Sequence, residues 1–202
     1  MNRPDRYKFG TVGPPLPGFE VKLAEDGELL IRSETVFAGY YKDEDATRAV
    51  LDEDGWLRTG DIAQIDEDGF ITITDRKKDI LVTAGGKHVA PQNLENELKA
   101  SKYVSQALVV GDRRPYVAAL VTLDEDEVAK WRKEGGGDVE ALVQSIVDEV
   151  NVQHSRFEQI KRFAILPRDF SADEGEITPT LKLKRSVVQQ HFAAEIEGLY
   201  PS

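Results

Sequence analysis

The chain has 202 residues, with 40% hydrophobic and 31% charged side chains and a formal net charge of −11. That length suits one or two domains with a real core, and such acidity excludes the basic face that nucleic-acid binding needs. The chain contains no cysteine, the polar start MNRPDRYKFG lacks a signal-peptide centre, and the longest apolar run, Tyr116 to Leu123, is strand-sized. These features point to a protein of the reducing cytoplasm with no transmembrane segment, and they are compatible with peripheral membrane contact.

Phe19 to Leu23 and Leu29 to Arg32 read as short strands joined by a Glu25-Asp26-Gly27 turn. Asp43 to Val50 reads as a helix. Ile62 to Ile65 and Phe70 to Thr74 form a second strand pair across Asp66-Glu67-Asp68-Gly69. Residues 1–75 are therefore expected to form a β-rich, barrel-like subdomain. This stretch is also the acidic one, with 8 Lys/Arg against 17 Asp/Glu, whereas residues 76–202 carry 18 against 20.

After Asp75 the pattern becomes α+β. Ile80 to Val82 predicts a short strand, and Pro91 to Ala100 a helix with proline in its first turn. Val104 to Val110 and Tyr116 to Leu123 predict a strand pair. Glu125 to Lys133 predicts a helix that stops at Gly135-Gly136-Gly137. Asp138 then caps a longer helix to about His154, with Val139, Leu142, Val143, Ile146, Val147 and Val150 at helical spacing. Lys161 to Leu166 predicts a strand and Val187 to Leu199 a closing helix. The expected fold class is α+β, divided into residues 1–75 and 76–202 with a joint at residues 76–79.

Chemistry concentrates between Gly55 and Pro91. In Trp56-Leu57-Arg58-Thr59-Gly60-Asp61, an acidic residue after a Thr-Gly turn can offer both oxygens to the vicinal diol of a ribose. It can equally bind its own backbone as a turn aspartate. In Asp75-Arg76-Lys77-Lys78-Asp79, a planar donor fork and two point charges suit a hinge that pairs differently in two arrangements, and a solvated turn fits as well. Gly85-Gly86 permits close backbone approach or positive φ, but lacks the outer glycine and trailing hydroxyl of a phosphate loop. The second basic cluster, Lys182-Leu183-Lys184-Arg185, could meet a phosphorylated ligand or simply be solvated.

In order and spacing these segments resemble the C-terminal motifs of the adenylate-forming enzyme superfamily, which includes acyl-CoA synthetases, luciferases and peptide-synthetase adenylation domains. The resemblance runs over about residues 10–199. It is carried by GELLIRSETVFAGYYKDEDAT (Gly27 to Thr47), GWLRTGD, DRKKDILVTAGGKHVAPQNLE (Asp75 to Glu95) and ITPTLKLKR (Ile177 to Arg185). The DRKKD segment and TPTLKLKR most resemble bacterial long-chain fatty-acid CoA ligases.

The resemblance implies that Asp61 binds the ribose hydroxyls of ATP and of an acyl-adenylate, with Arg76 near the same ribose. It implies a small lid domain swinging about Lys78. Gly85 and Gly86 would line the tunnel for CoA in the second half-reaction, and Lys182 would reach the carboxylate and α-phosphate in the first. A cation inserted into a dry site stabilises the charge spread over phosphoryl oxygens, and one such contact is worth about 3–4 kcal/mol. Lys184 lies on the same face of an extended segment and competes for this role, because Leu181 stands where the family carries glycine.

The family's phosphate loop, its adenine motif with a Mg2+-linked glutamate, and its acyl tunnel have no counterpart in this sequence. The expectation is thus a C-terminal fragment whose partners are ATP, fatty acid, CoA and a missing N-terminal large domain. Mg2+ would be held by that missing part, with no metal ligand here, and the chain alone would be inactive. Two alternatives stay open: a non-catalytic nucleotide-binding or docking module, and a lid from an aryl- or amino-acid-activating ligase.

Overall fold

The computed structural model describes residues 1–180 and 182–200. It separates into two compact units, Met1–Ile80 and Leu81–Ser202. Among the described residues no helix is long and apolar enough to cross a membrane.

The first unit is a four-stranded antiparallel meander, in the order β1 (Glu20–Leu23), β2 (Glu28–Arg32), β3 (Leu57–Ile65) and β4 (Ile71–Arg76). Its turns are written in the sequence. In the β1–β2 turn the Asp26 side chain accepts from Glu28 N, and Gly27 takes φ +82°. In the β3–β4 turn Asp66 does the same for Asp68 and Phe70, with Gly69 at φ +78°. Helix α1 (Glu44–Val50) starts where Asp43 accepts from Ala46 N. Leu29, Ala63 and Ile71 form the core, flanked by Val21, Ile31 and Ile65. The sheet stays open and does not close into a barrel, and a single 3-10 turn at Lys77–Asp79 follows it.

The second unit begins with a short hairpin, β5 (Leu81–Val82) and β6 (His88–Val89), and helix α2 (Pro91–Leu98). A three-stranded sheet follows in the order β7 (Val104–Val110), β8 (Val117–Leu123), β9 (Ile160–Ile165). β7 and β8 are antiparallel, and β9 lies parallel to β8 after a crossover through α3 (Glu125–Lys133) and α4 (Val139–Asn151). Two short helices, α5 (Arg185–His191) and α6 (Ala193–Gly198), close the chain.

The continuous apolar run of β8 has a direct cause: both faces of this strand are covered. Val117, Ala119 and Val121 pack with Leu94, Leu98, Val143, Ile146, Val147 and Val150 of α2 and α4. Ala118 and Leu120 point the other way, to Val188, Phe192 and Ile196. Between α3 and α4, a Cβ on Gly136 would sit 2.3 Å from the Trp131 ring, so the glycine run lets the chain turn back over that indole.

Three local expectations change. The strand predicted at Ile62 to Ile65 starts at Leu57, so Thr59-Gly60-Asp61 lies inside β3 and is not a turn before a strand. A second hairpin strand, His88–Val89, follows the glycine pair. The closing helix is broken at Phe192, whose φ −107° and ψ 31° redirect the chain while its ring stays buried in an edge contact with Phe170.

Candidate functional site

The bulge in β3 creates the first half of the site. Glu28 faces Ile62 and Leu30 faces Arg58, so Thr59, Gly60 and Asp61 all oppose the single residue Leu29. Gly60 absorbs the excess at φ +72°. The freed backbone groups are met by side chains: the Thr59 hydroxyl donates to Leu29 O at 2.7 Å, and Gly60 N donates to Glu28 Oε1 at 3.0 Å. A second irregularity follows at once, with Ile62 opposite Asp75 and Ala63 opposite Ile73.

Between these two defects Asp61 faces Arg76 across the β3–β4 ladder, with Arg76 Nε 2.7 Å from Asp61 Oδ1. The guanidinium is 59% exposed and the carboxylate 25%. An ion pair this exposed is worth about 0.2–1 kcal/mol, little enough for a ligand to compete with it. The pair therefore presents a carboxylate acceptor beside a planar set of donors, which matches a polar ring carrying neighbouring hydroxyls.

Glu28 itself is 3% exposed. Burial pushes its carboxyl up, but the Lys77 ammonium, the Gly60 N–H and Arg58 outweigh this and hold it below the usual carboxylate range. Lys77 Nζ lies 2.9 Å from Glu28 Oε2 and 2.6 Å from Asp26 Oδ2, and those hydrogen bonds raise its own pKa. Lys78 is exposed in the 3-10 turn, two residues before the first unit ends.

The remaining sequence-derived residues belong to the second unit. Gly85 and Gly86 form the tip between β5 and β6, where Gly86 N donates to Thr83 O at 2.8 Å. A Cβ on Gly86, at φ +71°, would meet nothing within 4 Å, and one on Gly85 only Thr83 Oγ1 at 3.9 Å. Internal packing does not demand glycine at either place, so the tip has open room above it.

Lys182 sits on a small hairpin. The Thr178 N–H donates to Lys182 O at 2.8 Å, Lys182 N donates to Thr178 Oγ1 at 2.9 Å, and Ile177 bridges Leu183. Leu181, inside this motif, lies outside the described residues. Lys184 is nearer the base, where its backbone N–H donates to Glu176 O at 2.7 Å. Both lysine side chains are exposed.

Two buried carboxylates hold that hairpin. Glu176, fully buried, accepts from both Arg168 Nη atoms at 2.7 and 2.8 Å, pairs with His191 Nδ1 at 2.9 Å, and accepts from Ser171 N at 2.8 Å. The Arg168 hydrogen bonds, with those from His191 and Ser171, bring its carboxyl down to about 2 despite burial. Glu95 of α2 accepts from Arg185 Nη2 and from Val109 N, each at 2.7 Å. Burial pushes the Glu95 carboxyl up against the pull of Arg185. This pair caps Val109 on the free edge of β7 and pins the start of α5 just beyond the lysines.

The structure thus brings Asp61 and Arg76 together in one unit and sets Gly85, Gly86 and Lys182 in the other. Sequence reasoning missed Glu28, Glu95 and Glu176. Glu95 carried a signal, since it shares the apolar face of Pro91, Leu94 and Leu98 at helical spacing.

A family model described as AMP-binding enzyme C-terminal domain matches residues 78–202. The long-chain-fatty-acid–CoA ligase FadD15 of Mycobacterium tuberculosis is 47% identical over 206 residues, covering 96% of this chain and 34% of that protein. The adenylation domain of a carboxylate reductase from Mycobacterium chelonae matches with a TM-score of 0.76 and 27% identity, over 92% of this chain and 31% of that one. The corresponding domain from Segniliparus rugosus, in complex with AMP and a co-purified carboxylic acid, matches with a TM-score of 0.75 and 26% identity, over 92% and 32%. The chain spans about a third of the length of these relatives (34%, 31% and 32%). With the family match extending over residues 78–202, the chain belongs to the AMP-binding enzyme C-terminal domain family.

Proposed function

We propose that this chain is the C-terminal part of a long-chain fatty-acid–CoA ligase. Such a ligase joins ATP and a fatty acid into an acyl-adenylate with release of pyrophosphate, then passes the acyl group to CoA with release of AMP. The observation that carries this reading is the Asp61–Arg76 pair, set between two register shifts so that a carboxylate and a guanidinium stand side by side on β3 and β4. The likeness to a long-chain ligase at 47% identity supports the substrate class, and the neighbour holding AMP supports the nucleotide.

In this reading Asp61 accepts the two ribose O–H groups, and Arg76 releases part of its ion pair to face the same sugar. Lys78 is the pivot between residues 1–75 and the lid. The Lys182 ammonium neutralises charge as the fatty carboxylate attacks the α-phosphorus, the step in which two anions meet. Its place toward the tip of the hairpin, beyond the base where Lys184 is tied to Glu176, favours it over Lys184. The open tip at Gly85 and Gly86 suits the thin pantetheine arm of CoA in the second step.

Mg2+ would be held by the N-terminal large domain of the whole ligase. Among the described residues no group of three or more His, Cys, Asp or Glu could hold a metal ion. The absence of cysteine in the sequence suits the cytoplasm as the place of this reaction.

The test is fatty-acid-dependent pyrophosphate exchange in a complete ligase carrying this segment. Lys182→Ala should lower exchange by about 10²–10³-fold, the scale of one lost transition-state contact. Lys184→Ala should stay within a few-fold of the unchanged ligase, and the reverse ranking would contradict the assignment. The 202-residue chain by itself should form no acyl-CoA.

A further inference from the structure

Glu28 is the most enclosed carboxylate of the first unit, and ribose binding gives it no task. Both of its oxygens are engaged. Oε1 accepts from Gly60 N at 3.0 Å, while Oε2 receives Lys77 Nζ at 2.9 Å and Arg58 Nη1 at 3.3 Å. Gly60 is the middle residue of the bulge that ends in Asp61, and Lys77 is the residue immediately before Lys78. One side chain therefore links the strand that presents Asp61 to the residue just before Lys78. Asp26 secures Lys77 from its other side at 2.6 Å.

We propose that Glu28 and Lys77 form a positioning brace, in which Glu28 holds the β3 bulge so that Asp61 faces a ribose and Lys77 fixes the chain up to the pivot. Movement then begins at Lys78 and does not propagate back into the nucleotide edge. The proposal rests on the reading of Asp61 as ribose ligand and Lys78 as pivot. The bulge needs such a brace because the strand ladder offers Gly60 N no acceptor: three residues of β3 face one of β2. Glu28 remains ionised at neutral pH because Lys77, Gly60 and Arg58 together outweigh its burial. A neutral amide there would keep the shape but lose the charge that gathers Lys77.

Amide NMR on the 202-residue chain tests this, with AMP as the added probe. Glu28→Gln should shift the Gly60 and Asp61 amides and raise backbone mobility over residues 78–80. Lys77→Met, at a half-exposed side chain, should raise the same mobility, and Lys77→Arg should restore it. AMP binding, read at the Asp61 amide, should weaken about tenfold in Glu28→Gln, as expected for one charge-assisted hydrogen bond. A purely stabilising pair would lower the melting temperature and leave the Gly60 shift, the 78–80 mobility and AMP affinity at their unchanged values, and that result overturns the brace. If Glu28→Gln does not fold, Lys77→Met decides on mobility alone. If AMP moves no signal in the unchanged chain, the affinity comparison moves to a complete ligase carrying this segment, where equal AMP affinity with and without Glu28→Gln overturns the positioning of Asp61, and the Gly60 shift and the 78–80 mobility decide the rest of the brace.

Discussion

The first unit backs its sheet with a small cluster centred on Leu29, Ala63 and Ile71, whereas the second covers both faces of its sheet with helices. Their candidate functional residues are secured accordingly. In the first, Asp61 is placed by a bulge whose stray backbone donor is met by Glu28, and the ammonium that answers Glu28 is half in solvent. In the second, the Lys182 hairpin stands on Glu176 and Glu95, carboxylates sealed into a packed core with arginine partners. The Asp61–Arg76 edge thus depends on charge near the surface, and the Lys182 hairpin on buried framework. Under the proposed function, a site that exchanges an internal partner for a ligand is well served by the weaker arrangement, and a loop that carries a cation to its target by the stiffer one.

This contrast can be broken most forcefully in the core of the second unit. Leu120 of β8 is fully buried against the C-terminal helices, and Leu120→Ala should cost about 2–5 kcal/mol through lost burial and a cavity. Denaturant unfolding followed by amide signals should show the loss in residues 81–200 while residues 1–80 keep their midpoint. A single shared transition would show that the two units do not hold themselves independently.

Glu176 provides the next largest effect. Glu176→Gln should cost about 1.5–3 kcal/mol in the second unit, because the half-exposed Arg168 and His191 lose their ionised acceptor. Its pH dependence has a definite sign. The folded carboxyl lies at about 2 against the ordinary 4.5, so its stabilisation is complete above 4.5 and drains away as pH falls toward 2. Glu95 contributes in the opposite sense, since its raised carboxyl makes the folded state relatively more stable as pH falls. An acid titration in which the unchanged protein and Glu176→Gln lose stability in parallel below 4.5 would remove Glu176 from the account.

Smaller effects belong to the first unit. Gly60→Ala meets no atom within 4 Å, so its cost is that of a left-handed backbone alone, about 1–2 kcal/mol. Thermal unfolding of the first unit should register it, and an unchanged midpoint would mean that the bulge relaxes. Smallest of all, Arg48→Ala removes two exposed helix pairs, to Glu44 and Asp45, and should leave the melting temperature unmoved.

What the sequence disclosed follows the same division. The α+β class, the apolar run of β8 and the spacing along α4 were legible because burial writes its period directly into the chain. The Asp-Gly turns were legible because one side chain and one positive φ suffice to make them. Thr59-Gly60-Asp61 looked like a turn for the same local reason. It is strand because Glu28, 32 residues earlier, supplies the acceptor the bulge lacks. Glu95 finds Arg185 across 90 residues, a pairing that no local pattern encodes. The break at Phe192 was equally hidden, since the apolar spacing of Val188, Phe192 and Ile196 continues through it. Of the candidate site, Asp61 and Arg76 were readable as residue types with a chemistry. The register that sets them face to face was not, because it is made by two ladder irregularities.

Under the proposed function the second unit carries two working edges for two different steps, Lys182 for adenylation and the Gly85–Gly86 tip for thioester formation. The most direct measurement is single-turnover kinetics of each half-reaction in a complete ligase carrying Lys182→Ala or Gly85→Leu. The account predicts a crossed result: Lys182→Ala slows adenylation by about 10²–10³-fold and spares acyl transfer from preformed acyl-adenylate, while Gly85→Leu does the opposite. Equal losses in both half-reactions for both substitutions would contradict it.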